Sequence, residues 1–225
     1  MKPNIANWTI VVLGAWSSRL FTPTWVGETF ELKEMPVEFG LAAGVAQLKF
    51  TIGEAVLVPL QDRLIVGVTT PSDSALQSAE NAAIVVLNTL KHTPVMAVGV
   101  NFEFEIENVT EPLASAFKLE DTLRVPDEFS IERTALVRQF KAQTGGIINF
   151  NLEFAQASGT ATAGFNFHFD VKNTTQAVDS IRKAVVPCKD RALSFLKEVY
   201  DLELEEKSGE EENEQTTDKE RTPDA

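Results

Sequence analysis

Between Asn101 and Glu107 apolar and polar residues alternate, with Phe102, Phe104 and Ile106 on one side and Glu103, Glu105 and Glu107 on the other. A period of two sends successive side chains to opposite faces, so this stretch predicts a strand with one buried and one solvated face. The texture returns at 149–155 (NFNLEFA) and 166–172 (NFHFDVK), each copy opening on Asn-Phe. Residues 8–16, rich in β-branched and aromatic side chains, predict another strand. The run 37–69 breaks only at Gly53-Glu54 and Gln61-Asp62, connections too short for a parallel crossover, and so predicts an antiparallel meander. A further strand is predicted over 128–142, and the Gly-Gly of 144–147 predicts a turn before the next one.

Helical spacing replaces alternation at Leu76, Ala79, Ala83, Val86, Leu87 and Leu90. A helix over 73–91 follows, capped by Ser72 or Asp73, lying on the meander and stopped before Pro94. Thr22 and Pro23 stand where an N-cap and a first helical residue belong, which predicts a short helix over 23–30 with Phe21, Trp25 and Phe30 turned inward. Residues 111–117 predict a helical turn or two. Residues 174–204 predict a long helix kinked or broken at Pro187.

Runs of strands followed by helices define an α+β fold: antiparallel sheet with amphipathic helices packed on one face. The order suggests two pseudo-repeated strand-then-helix halves, 1–93 and 94–204, which form either one continuous domain or two modules sharing the strand at 94–107. Residues 205–225 contain no large apolar side chain and predict a disordered acidic tail.

With 225 residues, 44% of them hydrophobic, and 15 phenylalanines, the chain can fill a sizeable core. No apolar run approaches the roughly 20 residues that span a bilayer, and the first residues lack the layout of a signal peptide, so a cytoplasmic protein without membrane contact is expected. The single cysteine, Cys188, agrees with a reducing compartment. A net charge of −13 argues against direct binding of nucleic acid. Residues 201–225 carry −8 of it, which leaves the first 200 residues only mildly acidic.

Candidate chemistry is sparse. Neither His92 nor His168 has carboxylates or thiols at ligand spacing, so no metal site is expected. Cys188 precedes Lys189 and Arg191, but no histidine base is tied to it in sequence. Nucleotide-binding and nucleophile-elbow motifs are missing, and neither a cofactor nor a catalytic residue is assigned. Convergence of His92, His168 and a carboxylate would point instead to an enzyme. Trp8, Trp16, Phe21, Trp25 and Phe30 crowd the first thirty positions and are the candidate partner-binding residues, lining a groove for apolar segments of a protein. Ordinary core is the competing reading for each.

The segment TPVMAVGVNF at 93–102 and the strand-to-helix passage at 165–200 resemble a widespread, largely uncharacterised group of bacterial proteins built of two α+β modules and compared with the SecB export chaperone. The resemblance covers residues 8–200 in outline and carries no motif of functional residues. It implies an intracellular, non-enzymatic protein that holds a partner chain. The expected function is therefore a non-catalytic, protein-binding or chaperone-like role in a protein of bacterial or phage origin. The alternative is an acidic decoy that mimics nucleic acid and occupies a DNA- or RNA-binding protein. Open sheet edges, for instance along 128–140, further predict a homodimer or larger closed assembly.

Overall fold

The computed structural model describes residues 1–34, 36–42, 45–119, 124–126, 128–141 and 146–205. The acidic tail from residue 206 and the first half of the 144–147 turn lie outside the described residues. Among the described residues there are ten strands: β1 (Lys2–Pro3), β2 (Thr9–Gly14), β3 (Val37–Ala42), β4 (Val45–Ile52), β5 (Ala55–Pro59), β6 (Arg63–Val68), β7 (Val95–Ile106), β8 (Arg133–Lys141), β9 (Ile147–Ala155) and β10 (Thr160–Asp170). They form one antiparallel sheet in the order β3-β4-β5-β6-β2-β7-β10-β9-β8, with β1 also paired to β7. The helices are α1 (Pro23–Thr29), α2 (Asp73–Thr89), α3 (Glu111–Ala116), α4 (Thr174–Ile181) and α5 (Val185–Tyr200).

The alternating stretch at 101–107 ends the longest strand, β7, which joins both halves of the chain by pairing with β2 on one side and β10 on the other. The two halves thus share one continuous sheet, and the strands flanking β7 differ in number on its two sides. Val98, Val100, Phe102, Phe104 and Ile106 point to the buried face. Trp8 packs edge-on against Phe102 and Phe104, with ring centroids 5.3 and 5.7 Å away. Further along the same face Phe150 meets Phe165 at 4.8 Å and Phe195 of α5 at 5.1 Å, which fastens the C-terminal helix to the sheet. Each such pair adds about 1 kcal/mol beyond its area burial.

Helix α2 presents Leu76, Ala79, Ala83, Val86 and Leu87 to this core, and Ser72 Oγ caps it by accepting from the Ala75 N–H at 3.1 Å. Thr22 does the same for α1, accepting from the Trp25 N–H at 3.1 Å. The described helices include none long and apolar enough to cross a membrane.

The long C-terminal helix expected from the sequence is two helices, and the break is not at Pro187. It falls at 182–184, where Lys183 takes a left-handed φ of 57°. Pro187 is the third residue of α5, inside the first turn, where a missing N–H leaves no intrahelical bond unmade. The break is held by Glu80 of α2. This residue is only 9% exposed, and its carboxylate accepts the Lys183 N–H at 2.7 Å and the Val185 N–H at 3.3 Å. Helix α5 stops at Tyr200 rather than at 204, because Asp201 turns left-handed (φ 53°) and sends the Leu202 N–H back to the Leu196 carbonyl.

Candidate functional site

Trp8, Trp16 and Phe21, expected to line an open groove, are instead buried in the core. The physical reason is the strand period: Trp8 continues the inward register of Ile10 and Val12, and the Trp16–Phe21–Trp25 ring chain folds under α1. Trp25 and Phe30 are half-buried and pack against that core. Large apolar side chains in solvent are found elsewhere, among them Phe39 on β3 (69% exposed) and Val137 on β8 (76% exposed).

These two residues lie on the two edges of the sheet. An antiparallel edge strand alternates residues that bond its neighbour with residues whose N–H and C=O point outward. The Gln156 N–H reaches the Glu132 carbonyl at 2.9 Å, which fixes the even-numbered residues of β8 as those that bond β9. Arg133, Ala135, Val137, Gln139 and Lys141 therefore direct their backbone groups outward. On the opposite edge the Thr51 N–H bonds the Pro36 carbonyl at 3.1 Å, so Val37 and Phe39 likewise face out. The edges differ in charge. β8 carries Arg133, Arg138 and Lys141, whereas β3 carries only Glu38, already paired with Lys49 at 3.0 Å. Segment 128–140, expected to hold an unpaired edge, does contain one.

The face of the sheet turned away from the core carries a feature that strand periodicity alone did not reveal. Gln139, Asn149, Asn166, Asn101 and Thr9 stand in one register row across five strands. Each amide donates to the next oxygen: Gln139 to Asn149 at 2.9 Å, Asn149 to Asn166 at 2.9 Å, Asn166 to Asn101 at 2.8 Å and Asn101 to Thr9 Oγ1 at 3.1 Å. Gly99 makes room for it, since a Cβ there would lie 2.6 Å from Asn166 Nδ2. The row crosses a shallow trough of about 380 Å³ toward β8, whose Val137 forms part of the wall.

On the helix side a cleft of about 400 Å³ lies between the ends of β9 and β10 and the α4–α5 junction. Ala184, Pro187, Cys188 and Arg191 share the face of α5 that lines it, as the spacing i, i+3, i+4, i+7 requires. The chain matches no known family model and no curated protein. What the site can do thus rests on its own geometry.

Burial pushes the Cys188 thiol up to about 12, with Glu80 acting in the same direction and Arg191 only partly offsetting them. A thiol in that state is not a nucleophile at neutral pH. Native protein incubated with iodoacetamide at pH 8 is expected to leave Cys188 unmodified over a time in which the urea-unfolded chain is fully alkylated, as read by intact mass. His168 sits beside Asp170 at 3.2 Å, and His92 is exposed beyond α2 and takes no part in that contact. Among the described residues no group of three or more His, Cys, Asp or Glu is placed to hold a metal ion.

Proposed function

We propose that the chain is a non-catalytic, chaperone-like protein of the cytoplasm that holds an extended segment of a protein partner along β8. The observation that supports this is the outward phase of an edge strand whose central side chain, Val137, is 76% exposed. An incoming segment adds an eleventh strand: its backbone satisfies the outward groups of residues 133, 135, 137, 139 and 141, and its side chains meet Val137 and the trough beside it. Backbone pairing supplies affinity without demanding a particular sequence, which suits a protein that holds varied unfolded chains. Arg133 and Lys141 favour acidic segments, although Arg133 is shared with Glu153 at 3.2 Å. The outline resemblance to SecB-like proteins agrees with this reading.

Val137→Pro tests it. Proline removes one outward N–H and leaves the β8–β9 ladder intact, a placement edge strands tolerate. The wild-type protein is expected to bind a reduced, carboxymethylated client chain and to slow the exchange of the odd-numbered β8 amides. The even-numbered ones, already bonded to β9, are expected to change little. Val137→Pro is expected to weaken client binding roughly tenfold or more, the loss of a backbone hydrogen bond plus strand geometry. Equal binding by wild type and Val137→Pro, with no added protection in β8, would rule the reading out.

A further inference from the structure

The cleft at the α4–α5 junction combines two features that suit an amphipathic ligand. Its floor is apolar, built from Ile148, Phe167 and Phe169 with Ile147 at its edge, and its rim carries the cations Lys183 and Arg191 with the single acid Asp179. Other cations of α5 are already committed: Lys189 to Asp73 and Asp190, and Lys197 to Glu203. Among the described residues the side chains of Lys183 and Arg191 have no ion-pair or hydrogen-bond partner. What sets Lys183 and Arg191 apart is their place, side by side on the rim of an apolar cleft.

The position of Lys183 is also imposed. Its left-handed backbone costs about 1 kcal/mol or more for a residue with a Cβ, and the buried Glu80 carboxylate holds it there through the Lys183 N–H. That same carboxylate caps the start of α5, so the helix end has no vacancy for an anion. The anionic preference of the cleft comes from the two side chains. A volume of about 400 Å³ falls within the range of small-molecule sites.

We infer that this cleft binds a small amphipathic carboxylate, its apolar body on the floor of Ile148, Phe167 and Phe169 and its charged head between Lys183 and Arg191. The head gains charge-assisted hydrogen bonds, strongest with the planar guanidinium of Arg191, while the body displaces water from the floor. This site is separate from β8 and does not depend on the edge-binding reading.

The experiment is a ¹⁵N–¹H NMR titration of the full chain with sodium decanoate, with decanol, acetate and a short acidic peptide as parallel probes. Decanoate is expected to give saturable shifts at Ile147, Ile148 and the first turns of α5, and acetate to bind at least roughly tenfold more weakly for want of an apolar body. Lys183→Glu combined with Arg191→Glu is expected to weaken decanoate roughly tenfold or more, while decanol affinity stays as in the wild type. Arg191→Gln alone, which keeps the size and removes the charge, is expected to show the same trend. Val137→Pro is expected to leave decanoate binding unchanged. Three outcomes would overturn the proposal: no saturable shifts in the cleft, unchanged decanoate affinity in both charge variants, or saturation of the same amides by the peptide and not by decanoate. Unaltered thermal unfolding of the variants keeps these outcomes interpretable.

Discussion

Trp8→Ala is expected to destabilise the protein by about 4 kcal/mol, the range found when a large aromatic side chain is removed from a packed core. Trp8 is 1% exposed and stacks edge-on against Phe102 and Phe104, and its indole Nε1 donates to the Glu103 carbonyl at 3.1 Å. The truncation leaves a cavity, so the loss exceeds what area alone would give, while the Glu103 carbonyl keeps the Asn4 N–H at 2.9 Å. Chemical denaturation read by fluorescence or circular dichroism is expected to show the midpoint falling sharply, with client binding intact under conditions where the variant is still folded. Val137→Ala is the natural contrast. At an exposed edge it is expected to change stability by less than about 0.5 kcal/mol. A Trp8→Ala protein as stable as the wild type but unable to bind a client would return Trp8 to the partner surface.

That contrast locates where the sequence was legible. Periodicity is set by burial, and burial decides which face of β7, β9 and β10 carries phenylalanine; the longer strands, the meander and α2 could be read from it, whereas the two-residue β1 could not. The caps at Thr22 and Ser72 were readable for the same reason, since an orphan N–H at a helix start needs a nearby oxygen. What periodicity does not carry is the pairing of distant strands. The three Asn-Phe openings at 101, 149 and 166 were visible as a repeated texture, yet only the registers Asn101↔Asn166 and Asn166↔Asn149 turn them into a hydrogen-bonded row. Nor does local sequence distinguish an aromatic in the core from one on a surface. Trp8, Trp16 and Phe21 were conspicuous because they are large, and large aromatics are conspicuous chiefly where cores are built.

Pro187 shows a second limit. Proline is hostile to a helix interior and harmless in its first turn, and which of these applies depends on where the helix begins. The start of α5 is fixed by Glu80, more than a hundred residues away in the chain, through a contact that no window around Pro187 contains. The Lys183–Arg191 cleft was hidden for the same reason: its rim is assembled by that tertiary contact, and its floor comes from two other strands.

Glu80→Ala is expected to cost about 3 kcal/mol, because two N–H groups at the α4–α5 junction lose their acceptor, at 1–3 kcal/mol for each buried donor left unmet. Removing the carboxylate also takes a negative charge from the positive end of α5, a smaller loss of about 0.5 kcal/mol. Glu80→Gln separates the two contributions. Its single amide oxygen can still accept from Lys183 N–H or Val185 N–H but not fully from both, so a loss of about half that of Glu80→Ala is expected. Lys183→Gly offers a further check, since glycine adopts φ of 57° without a Cβ penalty and is expected to be neutral or mildly stabilising. Urea midpoints for the three variants, with amide exchange followed at residues 183 and 185, decide the matter. The ranking Glu80→Ala below Glu80→Gln below wild type, with exchange at 183 and 185 accelerated in the first, is the expected result. Equal stability of all three would mean that the break at 182–184 is set by the packing of Ile181 and Val185 and not by the buried carboxylate.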